Sequence, residues 1–138
     1  MSWRSCRAQA LLELALCAPI VILLALGTVA VVQIAGARAG LEAATEVAAN
    51  AAARAPDAAT AVTVAQQRFS SVVADYPVRS ATLQVSVGDF GRTGLVTASS
   101  SARIDLEWAA FLLLPSHVTL QSQVVLRLEP WRTHTPTS

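Results

Sequence analysis

The stretch Ala10–Ala37 reads ALLELALCAPIVILLALGTVAVVQIAGA. From Leu14 through Val32 it carries no charge and is almost wholly apolar. At a rise of about 1.5 Å per residue that run is about 28 Å long, close to the hydrocarbon thickness of a bilayer. One small domain has no core deep enough to need so long an unbroken apolar helix, so the stretch predicts a transmembrane helix over 9–37. The anomaly is Glu13, a carboxylate at the mouth of the span. An ionisable residue costs less there than at the centre, yet it is unfavourable and points to function.

The rest of the chain is built for a small outer domain. Of 138 residues, 54% are hydrophobic and only 14% charged, lopsided for a soluble protein and ordinary for one with a single membrane helix. The net charge of +1, without a basic tract, gives no nucleic-acid signal. Cys6 precedes the span and Cys17 lies within it, so the part after about residue 40 must hold without disulfides. Residues 1–8 form a short leader with Arg4, Arg7 and no acid, which predicts a cytoplasmic N-terminus and an extracytoplasmic C-terminal domain in the cell membrane. Inside the span, Pro19 can kink the helix, and Gly27 leaves room for close helix packing.

The helix is expected to continue beyond the span. Arg38, Glu42, Glu46, Asn50 and Arg54 recur at i+4 as a polar stripe. Beside it Leu41, Ala44, Val47, Ala48, Ala51 and Ala52 make an apolar strip, and Pro56 ends the element. Asp57 is a good N-cap for a second helix with Val62, Ala65, Phe69, Val72, Val73 and Tyr76 on one face, closed by Pro77. The period then changes to two. Ala81 to Val87, Val96 to Trp108 and Val118 to Leu128 alternate apolar with polar residues, with a turn-rich loop at 88–94. Three strands with one apolar face make an antiparallel meander that the helices cover. The expected class is α+β, with an extracytoplasmic domain over 38–132 and a flexible tail over 133–138. The link Ala109–His117 is greasy: Phe111, Leu112, Leu113 and Leu114 either tuck under the sheet or form a patch that meets a partner or lipid.

No pattern suggests an enzyme. Ser99, Ser100 and Ser101 lie within a strand, not on a nucleophile elbow. His117 and His134 have no metal-ligand neighbour at i+3 or i+4. No glycine-rich loop precedes a helix, and Asp105 and Glu107 read as one solvated strand face. No cofactor, metal, nucleic acid or small-molecule substrate is expected. Cys17 is not a lipoprotein cysteine, because most of the apolar segment follows it.

Around Glu13 the chain reads RAQALLELALCAP, Arg7 to Pro19. This resembles the class III prepilin signal of the TadE-like family, pseudopilins of the Flp/Tad type IVb pilus and tight-adherence system. The family opens R-G-x-x-x-V-E-F-A-L-x-x-P before a membrane span. Arg7, Glu13, Ala15, Leu16 and Pro19 match; Ala8 stands for the usual glycine and Leu14 for the aromatic residue. The closing Arg127, Glu129 and Pro130 also look TadE-like. The resemblance implies a pilin-like fold, partners among other pilin or pseudopilin subunits and the Tad secretion machinery, and a prepilin peptidase that cuts between Ala8 and Gln9. Gln9 would become the new N-terminus, and Glu13 would pair with a neighbouring subunit's amine and set register in the assembly. Removing Arg4 and Arg7 takes the formal net charge from +1 to −1.

Two other readings compete. Small residues at Ala35-Gly36-Ala37 or Ala37-Arg38-Ala39 suit signal peptidase, which would release a small binding domain starting near Gly40 or Leu41. A generic anchored domain would be indifferent to Glu13.

Overall fold

The computed structural model describes residues 3–88, 94–112 and 115–128, with side chains over 8–88, 94–110 and 115–128. The order is α1 (Trp3–Ala53), α2 (Ala58–Val73), β1 (Arg79–Val87), β2 (Leu95–Asp105), a 3-10 helix (Glu107–Leu112) and β3 (His117–Arg127). The strands form one antiparallel sheet in the order β1-β2-β3, so the architecture is α+β as expected. The chain divides into two compact units, Met1–Ile34 and Ala35–Ser138, and α1 contributes to both.

In the second unit the last turns of α1 have two faces. The stripe Arg38, Glu42, Glu46, Asn50 and Arg54 is exposed, and Arg38 Nε donates to Glu42 Oε1 at 2.9 Å. That exposed pair adds little stability. The buried side is Leu41, Ala44, Thr45, Ala48, Ala49 and Ala52. This corrects the expected strip: Val47 is 41% exposed, while Thr45 and Ala49 are buried. Position on the helix decided the matter, because 41, 44, 48 and 52 share one side and 45 lies with them.

Most of these side chains are a single methyl group. Ala44, Ala48 and Ala52 of α1, Ala61 and Ala65 of α2 and Ala102 of β2 form one cluster with Leu41, Phe69 and Val96. Small residues let the helices approach the sheet closely. Thr45 uses that closeness. Its Oγ1 donates to the Leu41 carbonyl at 2.6 Å and lies 2.6 Å from Ser100 Oγ, with both residues buried. A hydroxyl has one proton, so Ser100 is the donor across the gap. No buried side-chain polar atom among the described residues is left without a partner.

Asp57 caps α2 as expected. Its backbone is extended, with φ −144° and ψ 167°, and Thr60 N donates to Oδ1 at 2.8 Å. The Thr60 hydroxyl donates to Oδ2, also at 2.8 Å. Ala61, Ala65 and Phe69 face the core, with Val72 and Val73 partly buried. The helix ends at Val73 and not at Pro77. Turn bonds from Asp75 N to Val72 O and from Tyr76 N to Val73 O occupy the interval. Tyr76 therefore lies beyond α2, and its ring sits over Gly40, where an added Cβ would collide with it. Gly40 is needed for that close approach.

In the sheet, Val96, Ala98, Ser100, Ala102 and Ile104 of β2 face the core. Thr97, Ser99 and Ser101 lie on the other face, where Thr82 and Ser101 join hydroxyls at 2.8 Å. The second alternating run is shorter than expected: β2 stops at Asp105, and Leu106, Glu107 and Trp108 leave the strand. Leu106 N donates to the Ser116 carbonyl and Ala109 N to the Leu106 carbonyl, which turns the chain into the 3-10 helix. Asp105 and Glu107 do not share a strand face. Gly88 N donates to Leu95 O at 2.9 Å and closes the β1–β2 hairpin. The loop tip 89–93, Glu129, Pro130 and the tail over 133–138 lie outside the described residues.

Two predictions follow from these contacts. Thr45→Val should cost about 1–3 kcal/mol, because Ser100 loses its acceptor inside the core. Ser100→Ala should cost less, since the Thr45 proton still reaches Leu41 O; urea unfolding of the full chain measures both. The second concerns Asp57, whose carboxyl is held below its ordinary value of 3.8, chiefly by the Thr60 backbone N–H and then by the Thr60 hydroxyl. A depressed folded-state value adds stability above the unfolded value, and that stability is lost as pH falls through the folded one. The gap in unfolding midpoint between native chain and Asp57→Ala should be full near neutrality and close in acid, once the pH falls below the lowered value of the folded-state carboxyl. A gap that persisted in acid would contradict the assignment.

Candidate functional site

The first unit is helix throughout its described residues, and its surface is apolar. Leu11, Leu12, Leu14 and Leu16 are each 65–66% exposed, and Val31 and Val32 are equally open. A water-soluble helix confines such side chains to one stripe. Here they point all round, and none of the most apolar stretch is buried within the protein. α1 is long and apolar enough to cross a membrane. One of its few polar groups is satisfied locally: Thr28 Oγ1 donates to Leu24 O at 2.9 Å, four residues back. The helix runs through Pro19. A Cβ placed on Gly27 would meet nothing within 4 Å, so this glycine leaves a notch in the helix surface.

Glu13 sits on this surface, exposed among leucines. No hydrogen bond or ion pair reaches it from the described residues. Ala8 and Gln9 are also exposed, and the bond between them lies in helical backbone. Gln9 and Glu13 are four residues apart on α1 and so share a face, with Cβ atoms about 5–6 Å apart.

The apolar link is only partly visible. The backbone of Phe111 and Leu112 closes the 3-10 helix, while their side chains and all of Leu113 and Leu114 lie outside the described residues. Ala109 just before them is buried.

Elsewhere the geometry offers little chemistry. The polar face of the sheet has a shallow depression of about 400 Å³ between Thr82, Gln84, Ser99 and Gln121. Its lining is neutral hydroxyls and amides, with no base beside a hydroxyl to activate it. His117 is the register partner of Asp105 across β2–β3. Among the described residues no group of three or more His, Cys, Asp or Glu could hold a metal ion. The sequence reading missed Thr45, Ser100 and Gly40. The signal for Ser100 was present: strand alternation places it between Ala98 and Ala102 on the apolar face.

Compared with protein-family models, curated proteins and solved structures, the chain gives no match.

Proposed function

We propose that this chain is a TadE-like minor pseudopilin: a single-pass membrane protein, N-terminus cytoplasmic, that takes part in assembly of a Flp/Tad-type pilus or related secretion apparatus. It acts by packing its membrane helix against other subunits and displaying its outer α+β domain, without turnover of its own. The observation that carries this reading is Glu13, exposed and unpartnered among the described residues on an otherwise apolar helix face. A lone carboxylate in low dielectric is costly, and a neighbouring amine lowers that cost. The Arg7–Pro19 motif supplies such an amine if a prepilin peptidase cuts between Ala8 and Gln9. The open space at Gly27 suits close helix packing in lipid. A buried charge pair would then fix the axial register of one subunit on the next.

Mass spectrometry of the mature chain, expressed with the peptidase, should find Gln9 at the N-terminus; a chain beginning at Met1 would exclude the cut. Glu13→Ala should leave membrane insertion intact and abolish incorporation into pili, and unchanged pili would reject the role given to Glu13. Fractionation addresses release by signal peptidase: the outer domain should stay with membranes, and its recovery in the culture fluid would favour a secreted module.

A further inference from the structure

The sheet has two outer strands, and they are finished differently. β1 is guarded. Its pairing with β2 slips between Arg79 and Thr82, and Ser80 within the slip has φ 53°, in the left-handed region. Such a bulge twists an edge and interrupts the row of outward backbone groups that another strand would need. β3 has no such guard. It keeps unbroken one-to-one register with β2 from Leu95–Arg127 to Asp105–His117. Between His117 and Arg127 it has no charged residue and no proline. Among the described residues it pairs only on its β2 side.

The inward face of β3 is also incompletely covered. Val118, Val124 and Leu126 remain half-buried, whereas Val96, Ala98 and Ile104 opposite them on β2 are buried. Among the described residues, Leu120 is the one inward side chain within β3 that packs against the core cluster. An open backbone edge and an under-covered apolar face thus coincide on one strand.

The sequence of β3 indicates what fits there. Outward from Ser122, Gln121 matches Gln123, Leu120 matches Val124, Thr119 matches Val125 and Val118 matches Leu126. A two-fold antiparallel pair places each residue opposite its counterpart at equal distance from the axis. On the inward face aliphatic meets aliphatic; on the outward face amide meets amide at 121/123, and Thr119 meets the similarly shaped Val125. The matched residues also share a sheet face, so Val118, Leu120, Val124 and Leu126 of both copies would line one continuous apolar surface. His117 and Arg127 meet at the two ends, outside this neutral centre. We propose that β3 is a self-association edge, pairing antiparallel with β3 of a second copy about a two-fold axis at Ser122 to form one continuous sheet. This goes beyond the membrane-helix reading above and does not rest on it.

Disulfide cross-linking of the full chain in detergent, with Cys6 and Cys17 replaced by serine, tests the register. Thr119 is exposed and Val125 is 54% exposed, so cysteines there should not disturb the core. Within one chain the two are about 20 Å apart along the strand, but across the proposed seam they face each other. T119C combined with V125C should give a covalent dimer, as should S122C alone, while T119C alone should not. Absence of dimer from both the double variant and S122C, in chains with native circular dichroism, would overturn the proposal; so would equal dimer from T119C alone. Q121K with Q123K should abolish the cross-link by like-charge repulsion, and Q121K with Q123E should restore it. The cross-link should persist in a Glu13→Ala background. Its loss there would mean that the membrane helix makes the dimer, and edge pairing would be rejected.

Discussion

The second unit depends on how closely α1 approaches β2. The 2.6 Å contact between the Thr45 and Ser100 hydroxyls measures that approach. It exists because the residues around it are alanines: Ala44 and Ala48 on the helix, Ala98 and Ala102 on the strand. A larger side chain at any of these would part the two elements and leave a buried hydroxyl without its partner. Apolar methyl contacts alone specify a distance but tolerate sliding. A single buried polar pair does not, because one residue of slip would strand both groups in the core. The remaining features follow from that fixed register. Gly40 lies five residues before Thr45 on α1 and receives the Tyr76 ring, and the turn that brings Tyr76 back begins where α2 ends.

Much of this was legible in the residues. The change of hydrophobic period from near 3.6 to 2 located two helices and three strands, and Asp57 announced its cap through its position after Pro56. The errors were of one physical kind. The expected strip counts Val47 as inward because it is large and apolar, and it passes over Thr45; packing exposes the first and buries the second. Alternation carried the second strand on to Trp108, while the backbone bond from Leu106 to Ser116 ended it at Asp105. Tyr76 fitted the helical period of α2 but lies past its end. Hydrophobicity reports which residues want burial, and not which helix face or strand end the rest of the chain will cover. The candidate site was legible in a different way. Glu13 stood out as a residue in the wrong solvent, and that contrast needs no fold to be seen.

The two halves of α1 meet the same need by opposite means. In the first unit its long leucines and valines face outward on all sides, which is stable only where the surroundings are apolar. In the second unit the exposed side is charged and the inner side is nearly all methyl groups. On the proposed reading Glu13 stands at the far end of the apolar half. A charged carboxylate near the helix centre would oppose insertion by about 2.5–3.5 kcal/mol, and less near the end, where water and headgroups reach it. That residual cost is too small to prevent anchoring and large enough to reward a partner that brings a cation.

The same reasoning bears on the β3 edge. An isolated strand pair in water is marginal, since the entropy of bringing two chains together offsets most of what the edge contributes. On the proposed membrane reading, copies sharing a bilayer have already lost part of that freedom, and a second contact between them becomes effectively intramolecular. Such anchoring would strengthen the β3 pair without being its condition. This would also explain why β1 carries a bulge and β3 does not. A sheet with two open edges could extend without limit, whereas one guarded edge and one open edge stop at a pair.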